Sequence, residues 1–440
     1  MELKKYKLGE ILELQRGYDL PSSQMKIGSV PVAGSNGVIG YHDTARGNYP
    51  CITVGRSGSV GKVHYYEQPT WAHNTALFVK NFKGNDPKYL YYFLKNLHLD
   101  EMFSKGSSVV PSLDRKVVHS LIVPFQEDKT CQKQIASVLS NIDRKIELNR
   151  AINQNLEALA KQLYDYWFVQ FDFPDENGRP YKSSGGKMVW NDKLKREIPE
   201  GWDDGILIDI ANITMGQSPD GSSYNEVGEG MLFYQGSTDF GMRFPSVRQY
   251  TTAPSRFAKK GDILMSVRAP VGSINIANND CCIGRGLSAI NSKLGSISHL
   301  YYILNDLRIA FDQRNAAGTT FGSITKEDLY SLPIIIPSDE VIRAFDKICS
   351  PMFDRQMILG EEIDILTKQR DELLPHLMNG QVSVNSDLAV IYVLISTYRK
   401  VKRVYISMAI TSTFIQKSEI QIPLLRLSMF ATLRSCSSMF

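Results

Sequence analysis

Apolar and polar positions follow two patterns that alternate twice along the chain. Short apolar runs, such as 50–54 and 262–267, are broken by Gly, Pro, Asn and Ser about every eight to twelve positions, which predicts compact β-rich modules. A short helix follows in each module, at about 87–104 and about 296–314, and then a final apolar strand. After each module the apolar spacing changes to three, four and seven residues, which predicts a long helix.

The two halves of the chain repeat each other. Leu90-Tyr91-Tyr92 returns as Leu300-Tyr301-Tyr302, and Gly106-Ser107-Ser108 returns as Gly318-Thr319-Thr320. Further matches follow in the same order and at similar, slightly drifting offsets. Such offsets are too long for a solenoid repeat and indicate a duplicated domain.

The predicted long helices have the apolar spacing of a coiled coil. Two asparagines, Asn149 and Asn153, lie on the first seam, where a polar side chain fixes register or partner choice. A helix of about 30 residues is about 45 Å long, which is more than a small module needs, although a helix that only covers its own module stays an alternative. The apolar seam positions are Leu139, Ile142, Ile146, Leu156 and Leu163 in the first helix and Met352, Leu359, Leu366 and Leu373 in the second.

The order of these segments predicts an α+β chain with six parts. The expected parts are a first β-rich module over 1–130, a helix over 131–170, a linker over 171–200, a second module over 201–338, a second helix over 339–380 and a tail over 381–440.

Composition places the chain among ordinary globular proteins. It has 440 residues, of which 43% are hydrophobic and 22% charged, and no apolar signal segment follows Met1. Its six cysteines form no Cys-x-x-Cys pair, which argues against a disulfide framework or a zinc site and fits a reducing cytosol. The net charge is +4, but residues 386–440 carry +5, so the residues before them carry −1. Any nucleic-acid surface must therefore be a local basic patch.

Catalytic motifs are missing from the sequence. The segment 55–63 resembles a phosphate-binding loop, but Arg56 stands where that motif needs its first Gly, and Val63 stands where it needs Ser or Thr. The seven histidines are scattered, and there is no Rossmann glycine loop, serine elbow or metalloprotease helix. We expect no catalytic residue, no metal and no bound cofactor in this chain.

Matching loops of the two modules carry hydroxyl, amide and basic side chains that suit DNA. Arg can bind guanine through two hydrogen bonds, Asn and Gln can bind adenine, and Ser and Thr can bind bases or phosphates. Each residue alone is better explained by turn structure, but paired placement in a duplicated module predicts two half-sites that differ in sequence. The candidate DNA-binding residues are Arg56, Ser57, Ser59, Lys62, His73, Asn74, Thr75, Lys105, Ser107 and Ser108 in the first module and Gln235, Ser237, Arg243, Arg268, Arg285, Thr319, Thr320 and Lys326 in the second.

Three segments resemble the specificity subunit of type I restriction–modification systems, and the resemblance covers about residues 1–385. The segments are the central run from Gln134 to Tyr166-Trp167-Phe168-Val169-Gln170-Phe171-Asp172-Phe173-Pro174, the entry to the second module at Lys195-Arg196-Glu197-Ile198-Pro199-Glu200-Gly201-Trp202, and the end Leu373-Leu374-Pro375-His376-Leu377-Met378-Asn379-Gly380-Gln381-Val382.

The resemblance implies that each module is a target recognition domain that reads one half of a bipartite sequence in double-stranded DNA. The two long helices then pack as an antiparallel coiled coil with pseudo-twofold symmetry and set the gap between the halves. Two modification subunits would bring S-adenosylmethionine and methylate adenine, and restriction subunits would use ATP and Mg, so this chain itself would bind no cofactor. It would act in the cytoplasm and away from membranes.

Two other functions stay open from the residues alone. One is a coiled-coil scaffold that presents two protein-binding β modules without DNA specificity. The other is a DNA-modifying enzyme in its own right.

Residues 386–440 depart from the family pattern. An apolar run of eleven residues, 388–398, precedes the basic run 399–403, and a membrane-spanning helix needs roughly 20. We expect an appended segment outside the core fold, with an interfacial anchor as the alternative.

Overall fold

The computed structural model describes residues 3–104, 112–316 and 323–382, which fall into two compact units. The first unit contains the residues up to Ile146 together with those that follow Asp364, and the second contains Glu147–Asp364. Within the described ranges, no helix is both long and apolar enough to cross a membrane. The expected tail, apart from its first two residues, lies outside the described residues.

In its described residues, the first unit combines nine short strands with four short helices and parts of both long helices. Its strands are β1 Lys4–Lys7, β2 Glu13–Arg16, β3 Val30–Gly34, β4 Gly37–His42, β5 Cys51–Gly55, β6 Val63–Tyr66, β7 Trp71–Ala72, β8 Ala76–Asn81 and β9 Ile122–Phe125. Its helices are α1 Leu8–Ile11, α2 Pro87–Asn96, α3 Leu99–Ser104 and α4 Arg115–Ser120, followed by the long helix α5 Lys129–Tyr164.

The second unit repeats this layout with additional strands. Its strands are β10 Met188–Asn191, β11 Arg196–Pro199, β12 Asp203–Ile206, β13 Ala211–Met215, β14 Tyr224–Asn225, β15 Met231–Tyr234, β16 Tyr250–Thr251, β17 Phe257–Ala258, β18 Ile263–Ser266, β19 Ile274–Ile276, β20 Cys281–Ile283, β21 Leu287–Ser292 and β22 Pro333–Ile336. Its helices are α6 Leu207–Ile210, α7 Ile297–Ala316 and α8 Lys326–Tyr330, followed by the long helix α9 Asp339–Met378.

The duplication is visible in strand order and register. The main antiparallel sheet has the order β2-β8-β5-β6 in the first unit and β13-β21-β18-β19 in the second. Thr53 of β5 lies opposite Phe78 of β8, and Leu264 of β18 lies opposite Ala289 of β21. The sequence offset from Thr53 to Leu264 equals that from Phe78 to Ala289, so the strand register is the same in the two copies. The predicted α+β fold with a duplicated β-rich module is therefore confirmed. The β-rich part of each unit, up to its long helix, is named its module below.

Each module is held to the long helices by a continuous apolar core. In the first unit, Leu8, Ile52 and Leu90 of the module share a buried core with Leu139 of α5 and Leu377 of α9. The apolar seam predicted from heptad spacing is thus partly a helix–module interface.

The second core is richer in aromatic rings. Tyr164 and Phe168, at and just beyond the end of α5, pack with Phe345 of α9 and Trp202 of the module. The ring centroids of Phe168 and Phe345 are 5.0 Å apart in an edge-on arrangement, a favourable geometry for aromatic pairs.

The two long helices run antiparallel. Asn149 Nδ2 donates to Glu362 Oε2 at 2.9 Å, and Gln356 Nε2 donates to the backbone oxygen of Asn153 at 3.3 Å, so numbers rise along one helix and fall along the other. Asn149 and Asn153 are both buried in this seam. The predicted antiparallel coiled coil is confirmed, and its asparagines bind the partner helix.

Candidate nucleic-acid interface

Three loops of the first module are tied together by backbone hydrogen bonds. The N–H groups of Arg56 and Ser57 both donate to the Thr75 oxygen, at 2.9 and 3.1 Å, and the Leu113 N–H donates to the Arg56 oxygen at 2.8 Å. Ser57 also forms an isolated bridge with Ser112. The structure thus brings together loops that lie far apart in the sequence, and all of them reach the surface.

An open groove of about 850 Å³ lies at these loops and is rich in arginine. Four guanidinium groups line it together with amide, hydroxyl and carboxyl groups, as a phosphate- and base-binding surface requires. The lining residues include Gln15, Arg16, Tyr18, Asp19, Arg46, Arg56, Ser112, Asp114 and Arg115.

Neighbouring side chains orient two of these arginines. The Arg46 guanidinium stacks 4.0 Å above the Tyr18 ring and lies 5.7 Å from the Trp71 ring, which restricts an otherwise flexible side chain. Arg16 forms an ion pair with Asp19 at 3.3 Å. The side chain of Asn74 donates to the same carboxylate.

Among the predicted residues of the first module, Arg56 lines the groove, and Asn74 contacts Arg56 and Asp19 of its lining. Arg56 Nη1 donates to the backbone oxygen of Asn74 at 3.4 Å, and Lys62 Nζ donates to Asn36 Oδ1 at 2.9 Å. The His73 and Thr75 side chains share a hydrogen bond of 2.9 Å, and partial burial lowers the pKa of His73. Ser59 is partly buried in the loop between Arg56 and Lys62, and Lys105, Ser107 and Ser108 lie outside the described residues.

The second module repeats two of these backbone bonds. Val267 N–H donates to the Gly286 oxygen and Ile324 N–H donates to the Val267 oxygen, both at 2.9 Å. Arg268 forms an isolated bridge with Ser323, as Ser57 does with Ser112. Each of these residues has the same sequence offset from its counterpart in the first module as the paired strands have. The loops and the backbone bonds that join them, named the loop frame below, are therefore equivalent in the two modules.

Different side chains emerge from this second frame. Gln235, Arg268 and Arg285 are exposed, and the Arg285 N–H donates to Ser218 Oγ at 3.3 Å. Lys326 is exposed at the start of α8, the position equivalent to Arg115. Ser237 begins a short 3₁₀ turn and is partly buried, and Thr319 and Thr320 lie outside the described residues.

Arg243 lies apart from the other predicted residues of the second module. Its side chain is only 8% exposed and forms an ion pair with Glu157 at 2.9 Å. Its guanidinium also packs 4.3 Å from the Phe353 ring. The structure therefore places it against the long helices and not at the loop surface.

Sequence reasoning missed Arg16, Tyr18, Arg46 and Arg115 of the groove. The repeat contained a signal for Arg115, because it is the counterpart of the selected Lys326 in the first copy. In the described part of the chain, no three Cys, His, Asp or Glu side chains are grouped so that they could hold a metal ion.

A family model described as the type I restriction modification DNA specificity domain matches residues 1–158 and 199–369. The chain belongs to this family. Its relatives include the MjaX and MjaIX specificity subunits of type I restriction enzymes from Methanocaldococcus jannaschii. MjaX is 32% identical over 74% of this chain and 76% of its own length, and MjaIX is 28% identical over 68% and 69%. The HindI specificity subunit of Haemophilus influenzae is 25% identical over 67% of this chain and 77% of its own length.

A solved structure supports the fold of this specificity subunit. The crystal structure of a type I restriction–modification S subunit from M. genitalium aligns with a TM-score of 0.59 and 18% identity, over 86% of this chain and 96% of that one. The two matched family segments each contain one module with its arginine-bearing loops. Family membership favours DNA specificity over a scaffold that only presents protein-binding modules.

Proposed function

We propose that each module of this type I specificity subunit reads one half of an asymmetric, bipartite sequence in double-stranded DNA. The first half would be read by the arginine groove and its flanking loops, and the second by the equivalent loops that carry Gln235, Arg268, Arg285 and Lys326. Ser59, Lys62, His73, Asn74 and Thr75 stay candidates in the first module, whereas Arg243 is assigned another role below.

One observation carries this proposal: the loops of the two modules share two backbone bonds and an isolated bridge, but they present different side chains at equivalent positions. By the sequence offset that relates the two modules, Ser57 corresponds to Arg268, and Asn74 corresponds to Arg285. A hydroxyl and an amide prefer different base edges from two guanidinium groups, because Arg fits guanine and Asn fits adenine. The same scaffold therefore supports two half-sites of unlike sequence.

The chain would act without chemistry of its own. We expect two modification subunits to bind it, bring S-adenosylmethionine and methylate an adenine in each half-site. Restriction subunits would add ATP- and Mg-dependent cleavage, and the complex would work in the cytoplasm. Because residues 1–385 carry a net charge of −1, those partners would supply most of the positive charge that neutralises phosphates.

Co-expression with its modification subunit in a methylation-free host tests the proposal. Long-read sequencing would map methylated adenines, and we expect a split motif of two unlike halves with a fixed gap. Arg115→Gln should relax or weaken the first half alone, and Arg285→Gln the second alone, by roughly tenfold if the arginine contacts a base.

Arg179→Gln is the matched control, because Arg179 is an exposed arginine of the linker that pairs with Asp175. It should leave both halves unchanged. Methylation of a single undivided motif, or an equal effect of Arg115→Gln and Arg285→Gln on both halves, would contradict the assignment.

A further inference from the structure

The second module contains a longer loop than the first at one defined place. Ala33 and Tyr234 are equivalent, since the oxygen of each accepts a 2.9 Å bond from the N–H of His73 or Gly284. The stretch from Ala33 to the end of β5 at Gly55 is shorter than the stretch from Tyr234 to the end of β18 at Ser266. The additional residues lie between β15 and β16, in and around the segment 237–249, which we name the clasp loop.

The clasp loop inserts a buried arginine between the two long helices of its own unit. Arg243 Nη1 donates to Glu157 Oε2 of α5 at 2.9 Å, and its guanidinium lies 4.3 Å from the ring of Phe353 on α9. The ring of Tyr301, on the module helix α7, lies 5.4 Å from the same guanidinium. One cation thus contacts both long helices and the module helix in a poorly hydrated place, where ion pairs and cation–π contacts are strongest.

The neighbouring phenylalanine adds a steric contact to α9. Phe244 is buried with Ile276 and Phe353, and it lies directly on Gly360 of α9. A Cβ atom at Gly360 would be 2.0 Å from the Phe244 ring, so the ring fits only because this helix position lacks a side chain. A glycine inside a helix destabilises it by about 1 kcal/mol relative to alanine. The close contact with Phe244 explains why glycine is present at position 360.

The clasp loop is itself fastened to the module. Ile276 N–H of β19 donates to the Arg243 oxygen at 2.8 Å. Inside the loop, Ser246 N–H donates to the Asp239 oxygen at 2.7 Å, and Arg248 pairs with the Asp239 carboxylate at 2.8 Å. The clasp loop is therefore joined by a backbone hydrogen bond to a strand of the main sheet of its module.

We infer that the clasp loop, through Arg243 and Phe244, is a positioning element that holds the second recognition module at one angle on its helix pair. It thereby sharpens the choice of gap length between the two half-sites. The inference rests on the proposed function. Arg243 acts through the placement of other residues, since its buried guanidinium is engaged by Glu157 and the aromatic rings.

Gap selectivity provides the test. The purified complex with the modification subunit would methylate duplexes that carry both half-sites at the native gap or at gaps one base pair shorter and longer, a step of about 3.4 Å. We expect Arg243→Met and Gly360→Ala to raise methylation of the shifted duplexes, relative to the native one, by roughly tenfold. The preferred bases of both halves should stay the same.

Matched controls are Arg179→Met and Gly221→Ala, because Arg179 is exposed and a Cβ at Gly221 has no neighbour within 4 Å. Hydrogen exchange on the full chain without DNA verifies the variants: the amides of Ser246 and Ile276 should lose protection, while those of the first unit keep it.

An unchanged gap ratio in both variants, with total methylation merely reduced, would show a structural role only and overturn the inference. So would unchanged protection of the clasp loop. A wild-type complex that methylates no split motif would instead overturn the proposed function, and the gap inference with it.

Discussion

In the first module Ser57 bridges to Ser112, and in the second Arg268 bridges to Ser323 at the same place of the frame. The side chain changes from a hydroxyl to a guanidinium, yet the bridge and two further backbone bonds of the loop are present in both modules. Every residue except proline can make such main-chain bonds. Side chains at these candidate base-reading positions can therefore differ between the modules while the backbone that presents them stays the same.

The two modules differ more in how they are fastened to their helices. In the first unit, Asp143 of α5 accepts hydrogen bonds from the Tyr92 hydroxyl at 2.6 Å and from Arg370 of α9 at 2.8 Å. In the second unit, Arg243 pairs with Glu157 through the clasp loop. Each attachment can therefore be broken separately, and each should loosen only the unit that contains it.

The largest expected effect comes from a glycine that both frames require. A Cβ at Gly17 would be 2.2 Å from the His73 oxygen, and a Cβ at Gly216 would be 2.2 Å from the Gly284 oxygen. Backbone atoms cannot yield as a flexible side chain can, so Gly17→Ala should destabilise the first unit by about 3 kcal/mol or more. Gly216→Ala should do the same in the second.

Native-state hydrogen exchange measures the two units separately in these variants. Gly221→Ala serves as the control, since its Cβ has no neighbour within 4 Å. Equal protection of the first unit in Gly17→Ala and Gly221→Ala would mean that the frame adapts to the extra methyl group.

A somewhat smaller effect should depend on pH. The Tyr89 N–H donates to the Asp86 side chain in the first unit, and the His299 N–H donates to the Ser296 side chain in the second. Tyr89 and His299 therefore occupy equivalent positions at the start of their module helices. Burial lowers the pKa of His299 to about 4, and its ring lies 4.6 Å from that of Phe168. Below pH 6.5 the imidazole of His299 binds a proton in the unfolded chain but stays neutral in the folded chain. The free energy of unfolding therefore falls by about 3 kcal/mol as the pH drops towards 4.

His299→Phe should remove that part of the acid sensitivity of the second unit. Urea unfolding of wild type and variant between pH 7 and pH 4 would measure the difference in slope. Parallel pH profiles would show that the histidine is not kept neutral by burial.

The sequence predicted the modules and the long helices because burial imposes a period on apolar positions, and the repeat supplied each pattern twice. It also identified the loops of Arg56, Ser57 and Thr75, which are local segments of the repeated frame. The groove as a whole was beyond such reasoning. Arg16, Arg46 and Arg115 come from three separate segments, and only tertiary packing gathers them.

Arg243 shows the opposite difficulty. Its residue type suited DNA, but the longer loop around it buries the side chain against α5 and α9. Residue type alone cannot distinguish a cation that faces DNA from one that pairs with a helix carboxylate. The difference in loop length between the two modules was a usable signal, since an insertion in one copy of a repeat needs its own packing partner.

The smallest expected effects separate two equivalent tyrosines, and they test whether the fastenings really differ. Burial raises the pKa of Tyr92, so its hydroxyl stays protonated and donates to Asp143. Within the described residues, the buried hydroxyl of Tyr302 has no hydrogen-bond partner. A hydrogen bond to a charged group contributes about 1.5–3 kcal/mol, whereas a buried hydroxyl without a partner costs about 1–3 kcal/mol. Tyr92→Phe should therefore destabilise the first unit by about 2 kcal/mol, while Tyr302→Phe should leave the second unit unchanged or stabilise it by about 1 kcal/mol.

The two substitutions remove the same atom from equivalent places, so each is the control of the other. Hydrogen exchange of the core amides in each unit measures both effects in one experiment. Opposite signs would mean that the first module depends on a polar bond to α5 where the second depends on packing and the clasp loop. Equal losses in both units would mean that Tyr302 has a partner in solution, such as a buried water, and that the two modules are fastened more alike than the contacts indicate.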